Sequence, residues 1–230
     1  MSKTIVAIGA HTGDAQLSSG MLLAKHSMMG DKIITIDLTA GERGAPDGVP
    51  VREFRERNVD SARQFAEMLG GESIVFDVPD GELYPGREIE MKLGDLLREK
   101  RADAVLYHWK HSMHKDHEAA HRITESAIFY ASLPTMERPC PPAPIRHMLC
   151  AENWEDSPEF VPYHFFDVTE AFPLWKEAIK KLWLAEHSTS FKYLRYYEAL
   201  SVCRGAMIGK DHATAFSDTN TLRRLVREGL

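Results

Sequence analysis

The feature that most restricts the fold of this chain is the alternation of short β-rich runs with longer amphipathic stretches. Runs near 4–9, 32–38, 73–78 and 103–108 are rich in Ile and Val. Between them lie helical patterns at 17–30, 52–69 (closed by Gly70-Gly71), 88–100 and 117–132. Strand, loop and helix repeating in that order imply βαβ units and a parallel sheet. The predicted class is therefore α/β: a Rossmann-like, mostly parallel sheet with flanking helices. A chain of 230 residues is long enough to bury one sizeable core, and a single domain over 1–230 is expected.

The run 134–144 carries Pro139, Pro141, Pro142 and Pro144. Proline fixes φ and lacks a backbone N–H, so this segment is neither helix nor central strand. It reads as a connector to a last subregion with strands at 145–151 and 163–168 and helices at 172–186 and 193–204.

Charge and composition exclude several function classes. With 28 Lys and Arg against 34 Asp and Glu, the net charge of −6 offers no footprint for nucleic acid or an anionic membrane. The partner expected is a small molecule. The opening Met1-Ser2-Lys3-Thr4 runs into a strand without a signal-peptide apolar region, and no apolar run approaches the ~20 residues of a membrane span; the expectation is a soluble, cytoplasmic protein. Cys140, Cys150 and Cys203 are odd in number and widely spaced. That pattern fits neither a disulfide framework nor a Cys-rich zinc knuckle.

In open α/β sheets, ligands bind outside the carboxyl ends of the strands. By that rule His11 and Asp14 after the first strand, 39–43 after the second, Asp80 after the third and 108–117 after the fourth face one crevice. The stretch 108–121, HWKHSMHKDHEAAH, holds five of the eleven histidines. Imidazole is the commonest metal ligand, and zinc accepts mixed His and carboxylate sets while keeping a position open. His11 and Asp14 supply two candidate ligands and one histidine of the cluster a third. The same stretch contains His117-Glu118-Ala119-Ala120-His121, which fits the H-E-x-x-H pattern of zinc proteases but leaves His11 and Asp14 unexplained. Taken singly, these residues have plainer readings. His11 with Asp14 makes a strand-end cap, Asp116 a helix N-cap and Glu42 a solvated loop residue. His108, His111 and His121 read as support or surface, and the run 193–197 as packing or a subunit interface.

Taken together, the motifs resemble the LmbE/PIG-L family of zinc-dependent N-acetylglucosaminyl deacetylases. The family's A-H-P-D-D-E motif is matched by Ala10-His11-Thr12-Gly13-Asp14-Ala15, and its H-x-D-H by His114-Lys115-Asp116-His117. Further similarity lies at 39–44, 78–83, 165–179 and 203–216. The resemblance implies one zinc per chain on His11, Asp14 and His117, with His114 as catalytic electrophile and Asp116 as its orienter. It also implies Glu42 and Asp80 binding an N-acetylated sugar conjugate, and a homo-oligomer, trimer or hexamer. One position departs: the family's first aspartate, its general base, is Gly13 here. Zinc then supplies hydroxide by lowering its water's pKa without a strong base, or His114, Asp116 or Glu42 takes the proton; if the crevice otherwise keeps deacetylase geometry, Gly13→Asp is expected to raise amidase activity. The glycine equally suits a zinc-dependent hydratase or lyase acting on a small unsaturated carboxylate, as in the similar oxalomesaconate hydratase, or a metal- or sugar-binding relative without catalysis.

Overall fold

The computed structural model describes residues 2–218; the last residues of the expected domain, 219–230, lie outside it. Seven strands form one sheet: β1 (Thr4–His11), β2 (Lys32–Thr39), β3 (Glu72–Val78), β4 (Ala104–Tyr107), β5 (His147–Ala151), β6 (His164–Asp167) and β7 (Ala213–Ser217). Their order is β3-β2-β1-β4-β5-β7-β6. The first five are parallel, and β7 pairs antiparallel with both β5 and β6. The α/β, mostly parallel expectation is met.

Period-2 alternation explains why β1 reads as a continuous apolar run. Ile5 and Ala7 pack into one core cluster, Val6, Ile8 and Ala10 into another, as in a sheet covered on both faces. The first cluster gathers α1 (Asp14–Ser18), α2 (Gly20–Met28) and α6 (Phe172–Ile179), with fully buried Trp175 at its centre; α3 (Val51–Met68) contributes Phe65 and α8 (Tyr193–Met207) contributes Tyr197. The second cluster holds α4 (Arg87–Glu99) and α5 (Lys115–Ser132).

Two expected helices differ in detail. The first begins at Asp14 and breaks at Ser19. The pattern at 172–186 divides into α6 and α7 (Trp183–His187), because Leu182 takes an extended conformation and buries its side chain. The strand β7 was not expected; it is five residues long, two of them small alanines. The run Tyr193, Tyr196 and Tyr197 packs against the first core cluster, so these rings serve packing.

The proline-rich connector is irregular, as expected. It is tied down by Arg98 of α4, whose buried guanidinium donates to the carbonyls of Tyr130, Leu133, Met136 and Cys140. The three cysteines are unpaired, and burial pushes the Cys150 thiol up. Among the described residues no helix is long and apolar enough to cross a membrane.

The chain leaves β1 toward β2 and β3 on one side and later returns to β4 on the other. This reversal opens a crevice at the carboxyl ends of β1 and β4.

Candidate metal centre

His11 ends β1 and Asp14 starts α1 three residues later. His114 caps the N-terminus of α5, and His117 lies in that helix's first turn. The two strand ends thus deliver all four residues to one crevice. Asp14 Oδ2 stands 3.2 Å from His11 Nδ1 and 3.4 Å from His117 Nε2. Donor atoms of His11, His114 and His117 lie within 4.8 Å of one another, as do those of Asp14, His108 and His117, and of His11, Asp80 and Asp116.

The donor set suits a zinc-sized ion. With ligand bonds of about 2.0–2.2 Å, neighbouring corners of a tetrahedron lie about 3.3–3.6 Å apart, close to both separations around Asp14 Oδ2. Each imidazole is also held at its other nitrogen. His117 Nδ1 is 2.9 Å from Asp156 Oδ1, which leaves Nε2 as the lone pair turned to Asp14. His11 Nε2 is 3.2 Å from Asp80 Oδ1 and 3.4 Å from Asp116 Oδ2, which leaves Nδ1 turned to Asp14. Such outer carboxylates fix ring tautomer and orientation in metal sites. Burial alone would raise the Asp14 carboxyl, but His117, His108 and His11 hold it well below the usual carboxylate range.

Asp156 makes a second bond, 2.7 Å from His108 Nδ1, and His108 Nε2 accepts the Ala10 N–H at 3.0 Å. One buried carboxylate therefore ties the end of β1 to the start of α5. Burial works to raise Asp156, and the two imidazoles overcome it and hold it low.

The remaining residues singled out from the sequence fall as follows. Asp80 lines the cavity and accepts the Arg43 N–H at 3.0 Å. Glu42 is buried behind that wall, accepting the Asp80 N–H at 2.9 Å and pairing with Arg55. The Asp116 carboxylate accepts the Gly81 N–H at 2.8 Å and faces His11. The Asp116 backbone N–H, rather than its carboxylate, meets the His114 ring, donating to Nδ1 at 3.2 Å. That bond leaves His114 with its proton on Nε2. Burial, and next to it His11 and His117, push the His114 imidazole down, so its fitting form is a neutral N–H donor. His121 turns away, stacked on Tyr107 with Nδ1 2.9 Å from the His108 carbonyl. It joins no donor group, and the H-E-x-x-H reading has no geometric basis here.

The cavity over these residues measures about 440 Å³ and is walled by Phe54, Asn58, Trp183, Leu184 and Tyr193. A larger cleft of about 610 Å³ lies by β6 and α2, where Lys25 and Lys210 are engaged with Asp167. It holds none of the clustered histidines.

The model of the family described as GlcNAc-PI de-N-acetylase, PIG-L, matches residues 6–128. The chain belongs to the PIG-L family. It is 29% identical over 141 residues to diacetylchitobiose deacetylase of Thermococcus kodakarensis, covering 59% of this chain and 53% of that protein. It is 27% identical over 136 residues to 4-oxalmesaconate hydratase of Pseudomonas putida, covering 56% and 53%. The chain thus spans about half the length of the curated relatives it matches. The fold is shared with the crystal structure of the 4-carboxy-2-hydroxymuconate hydratase from Pseudomonas putida KT2440, at a TM-score of 0.87 and 20% identity over 99% of both chains.

Within this PIG-L domain Gly13 has a defined geometry. Its φ of +119° and ψ of −34° suit a residue without a side chain, and its N–H donates to Gln16 Oε1 at 2.9 Å. A Cβ built there runs into Leu184 Cδ2 of α7. Gly13→Asp therefore carries a cost: the backbone conformation is strained for any side chain, and the Leu184 side-chain end has to move aside.

Two residues that the sequence reading passed over stand at this site, Glu155 and Asp156. Both lie in a short 3-10 turn, Trp154–Asp156, just after β5. Glu155 lines the cavity, with Oε2 3.4 Å from His117 Nε2. Burial pushes its carboxyl up.

Proposed function

We propose that the chain is a metal-dependent hydrolase that removes the acetyl group from an N-acetylated sugar conjugate. The observation that supports this reading is Asp14 Oδ2, which stands 3.2 Å from His11 Nδ1 and 3.4 Å from His117 Nε2, near the spacing of neighbouring ligand atoms in a tetrahedral site. A zinc ion held by these three residues, one per chain, supplies Lewis acidity toward an acetamide carbonyl and makes water easier to deprotonate.

The protein's own groups do the rest. Asp156 holds the His117 ring, and Asp80 with Asp116 holds the His11 ring, so that the lone pairs are fixed before substrate arrives. His114 Nε2–H points its donor at the oxygen that gains charge as the carbonyl is attacked; a donor of this kind is worth ~10²–10³ in kcat. Asp80 on the cavity wall accepts a substrate hydroxyl. Glu42 acts through it, fixing its backbone from behind. Trp183, on the cavity wall, offers an aromatic ring to an apolar sugar surface.

A second reading, hydration of a small unsaturated carboxylate, draws support from Gly13 and from similarity to a hydratase. The cavity's charge weighs against it. Apart from the ligand Asp14, whose charge the ion offsets, Asp80 and Glu155 line the cavity, and the lining cation Arg43 is paired with Glu82. A di-acid gains little there, whereas a neutral, hydroxyl-rich molecule meets acceptors. The resemblance to the family also implies a homo-oligomer, trimer or hexamer, in the cytoplasm; light scattering tests the assembly.

The test is incubation of zinc-loaded protein with N,N'-diacetylchitobiose and other N-acetylglucosaminides, following free amine and acetate. Release of both, lowered ~10²–10³-fold by His114→Ala, is expected. No amine from any N-acetylated sugar, with water added instead to unsaturated dicarboxylates, would establish the hydratase reading. Sugar binding without turnover of either class would leave a binding protein.

A further inference from the structure

Hydrolysis of an amide by water needs a group that takes the water's proton. Position 13, beside the ligand Asp14, has no side chain, and Leu184 occupies the space where one would stand. The proton acceptor therefore has to come from another element.

The described residues around the cavity narrow the choice. Asp14 is spent among His11, His108 and His117. Asp80 is engaged with His11 and the Arg43 N–H. Glu42 and Asp116 sit behind the wall, each accepting a backbone N–H. His114 already uses its Nδ1 lone pair on the Asp116 N–H. Glu155 differs from all of these. It lines the cavity, its carboxylate pairs with His117 Nε2 at 3.4 Å, and it joins none of the three donor groups.

Its backbone is fixed as firmly as a ligand's. The Asn153 side chain accepts the Glu155 N–H at 3.2 Å. The Glu155 carbonyl accepts the Met113 N–H at 3.1 Å and the Ser112 hydroxyl at 3.3 Å, joining the turn to the loop that carries His114. The next residue, Asp156, clamps His108 and His117. Any register shift of Glu155 would break that clamp, so the carboxylate's place beside the ligands is set by the same turn that orients them.

We propose that Glu155 is the proton-accepting carboxylate of this site, delivered from the carboxyl end of β5 in place of a side chain at position 13. The proposal rests on the hydrolase reading. The water O–H bond breaks and its proton passes to the Glu155 carboxylate, while the water oxygen's electron pair forms a bond to the acetamide carbon. The carbonyl π pair moves onto the oxygen that His114 Nε2–H faces. When that pair returns, the C–N bond breaks, and the nitrogen takes the proton from Glu155 and leaves as the free amine. The other product is acetic acid, which ionises to acetate.

The test compares wild type with Glu155→Gln and Glu155→Ala on N,N'-diacetylchitobiose, measuring kcat, KM and zinc content by elemental analysis. Glu155→Gln is expected to keep one zinc per chain and a KM within a few-fold of wild type while kcat falls ~10²–10⁴-fold, the worth of a positioned base. In Glu155→Ala, added formate is expected to restore part of kcat, which a loss of folding or packing would not allow. An unchanged kcat in Glu155→Gln overturns the proposal. Loss of zinc in both variants also overturns it, making Glu155 a ligand. A wild type that deacetylates no N-acetylated sugar removes the hydrolase reading and the assignment with it, whereas an active wild type with an active Gln variant removes the assignment alone.

Discussion

Asp37 is a carboxylate that neither solvent nor a cation reaches. It is fully buried in β2, one oxygen accepts from Gln16 Nε2 at 2.9 Å, and the other has no partner. Burial pushes its carboxyl up to about 8, against about 3.9 in an unfolded chain. Between those values the folded state holds a proton that the unfolded state has released, so stability falls by about 1.4 kcal/mol per pH unit as pH rises. Below the lower value the contribution is fully present. Urea unfolding of metal-free protein at pH 5 and pH 8 is expected to show wild type losing stability relative to Asp37→Asn at the higher pH; a pH-independent difference would mean the group does not titrate in that range. The consequence reaches the site, because Gln16 also accepts the Gly13 N–H and so links Asp37 to the ligand turn. His11, Asp14 and the His114 to His117 stretch were legible in the sequence because each set is local and its chemistry is unusual for a loop. Glu155, Asp156 and Leu184 were not, because they reach the site from more than thirty residues beyond it in sequence. One signal was present: the strand-end rule that singled out 39–43 and Asp80, extended to the end of β5, points to Glu152, Glu155 and Asp156.

Helix ends decide much of the architecture, and Arg98 shows how one side chain can serve several. It is buried at the C-terminal end of α4 and donates to four carbonyls spread over the end of α5 and the proline-rich connector. Helix-terminal carbonyls lack intrahelical donors and carry partial negative charge, so a buried cation there does double service. Hydrogen bonds to charged groups contribute about 1.5–3 kcal/mol each, and orphaned buried acceptors add their own cost. Arg98→Ala is expected to lose about 3 kcal/mol or more in urea unfolding with zinc content unchanged; a loss under 1 kcal/mol would show that water replaces the guanidinium. The first four strands were legible from their apolar runs, since burial on both faces removes the need for alternation. The short β7 was hidden because its side chains carry little apolar signal, and its place is set by antiparallel pairing with β5 and β6. The break between α6 and α7 was hidden for a different reason. Helical periodicity continues through 180–182, yet burying Leu182 in an extended conformation turns α7 over the cavity, where Leu184 meets Gly13.

At the scale of the whole molecule, the candidate metal site joins elements that the sheet alone holds apart. The ligands proposed for it come from the end of β1 and the start of α5, and the Asp156 clamp arrives from beyond β5. An ion that binds only when these are assembled stabilises the assembled state by mass action, about 2.7 kcal/mol at a hundredfold excess over its Kd. For a chain of this size about 1 kcal/mol moves Tm by roughly 2–4 °C, so stripping zinc with a chelator is expected to lower Tm by about 5–11 °C. His11→Ala is expected to show no zinc-dependent rise. Asp156→Asn retains all three ligands but frees the rings they depend on, and such outer-partner changes cost ~10–100-fold in metal affinity. It should therefore need ~10–100-fold more zinc for the same rise, while His121→Ala follows wild type. A zinc-dependent rise that survives in His11→Ala and disappears in His121→Ala would place the ion on α5 alone, and the two strand ends would then have no part in holding it.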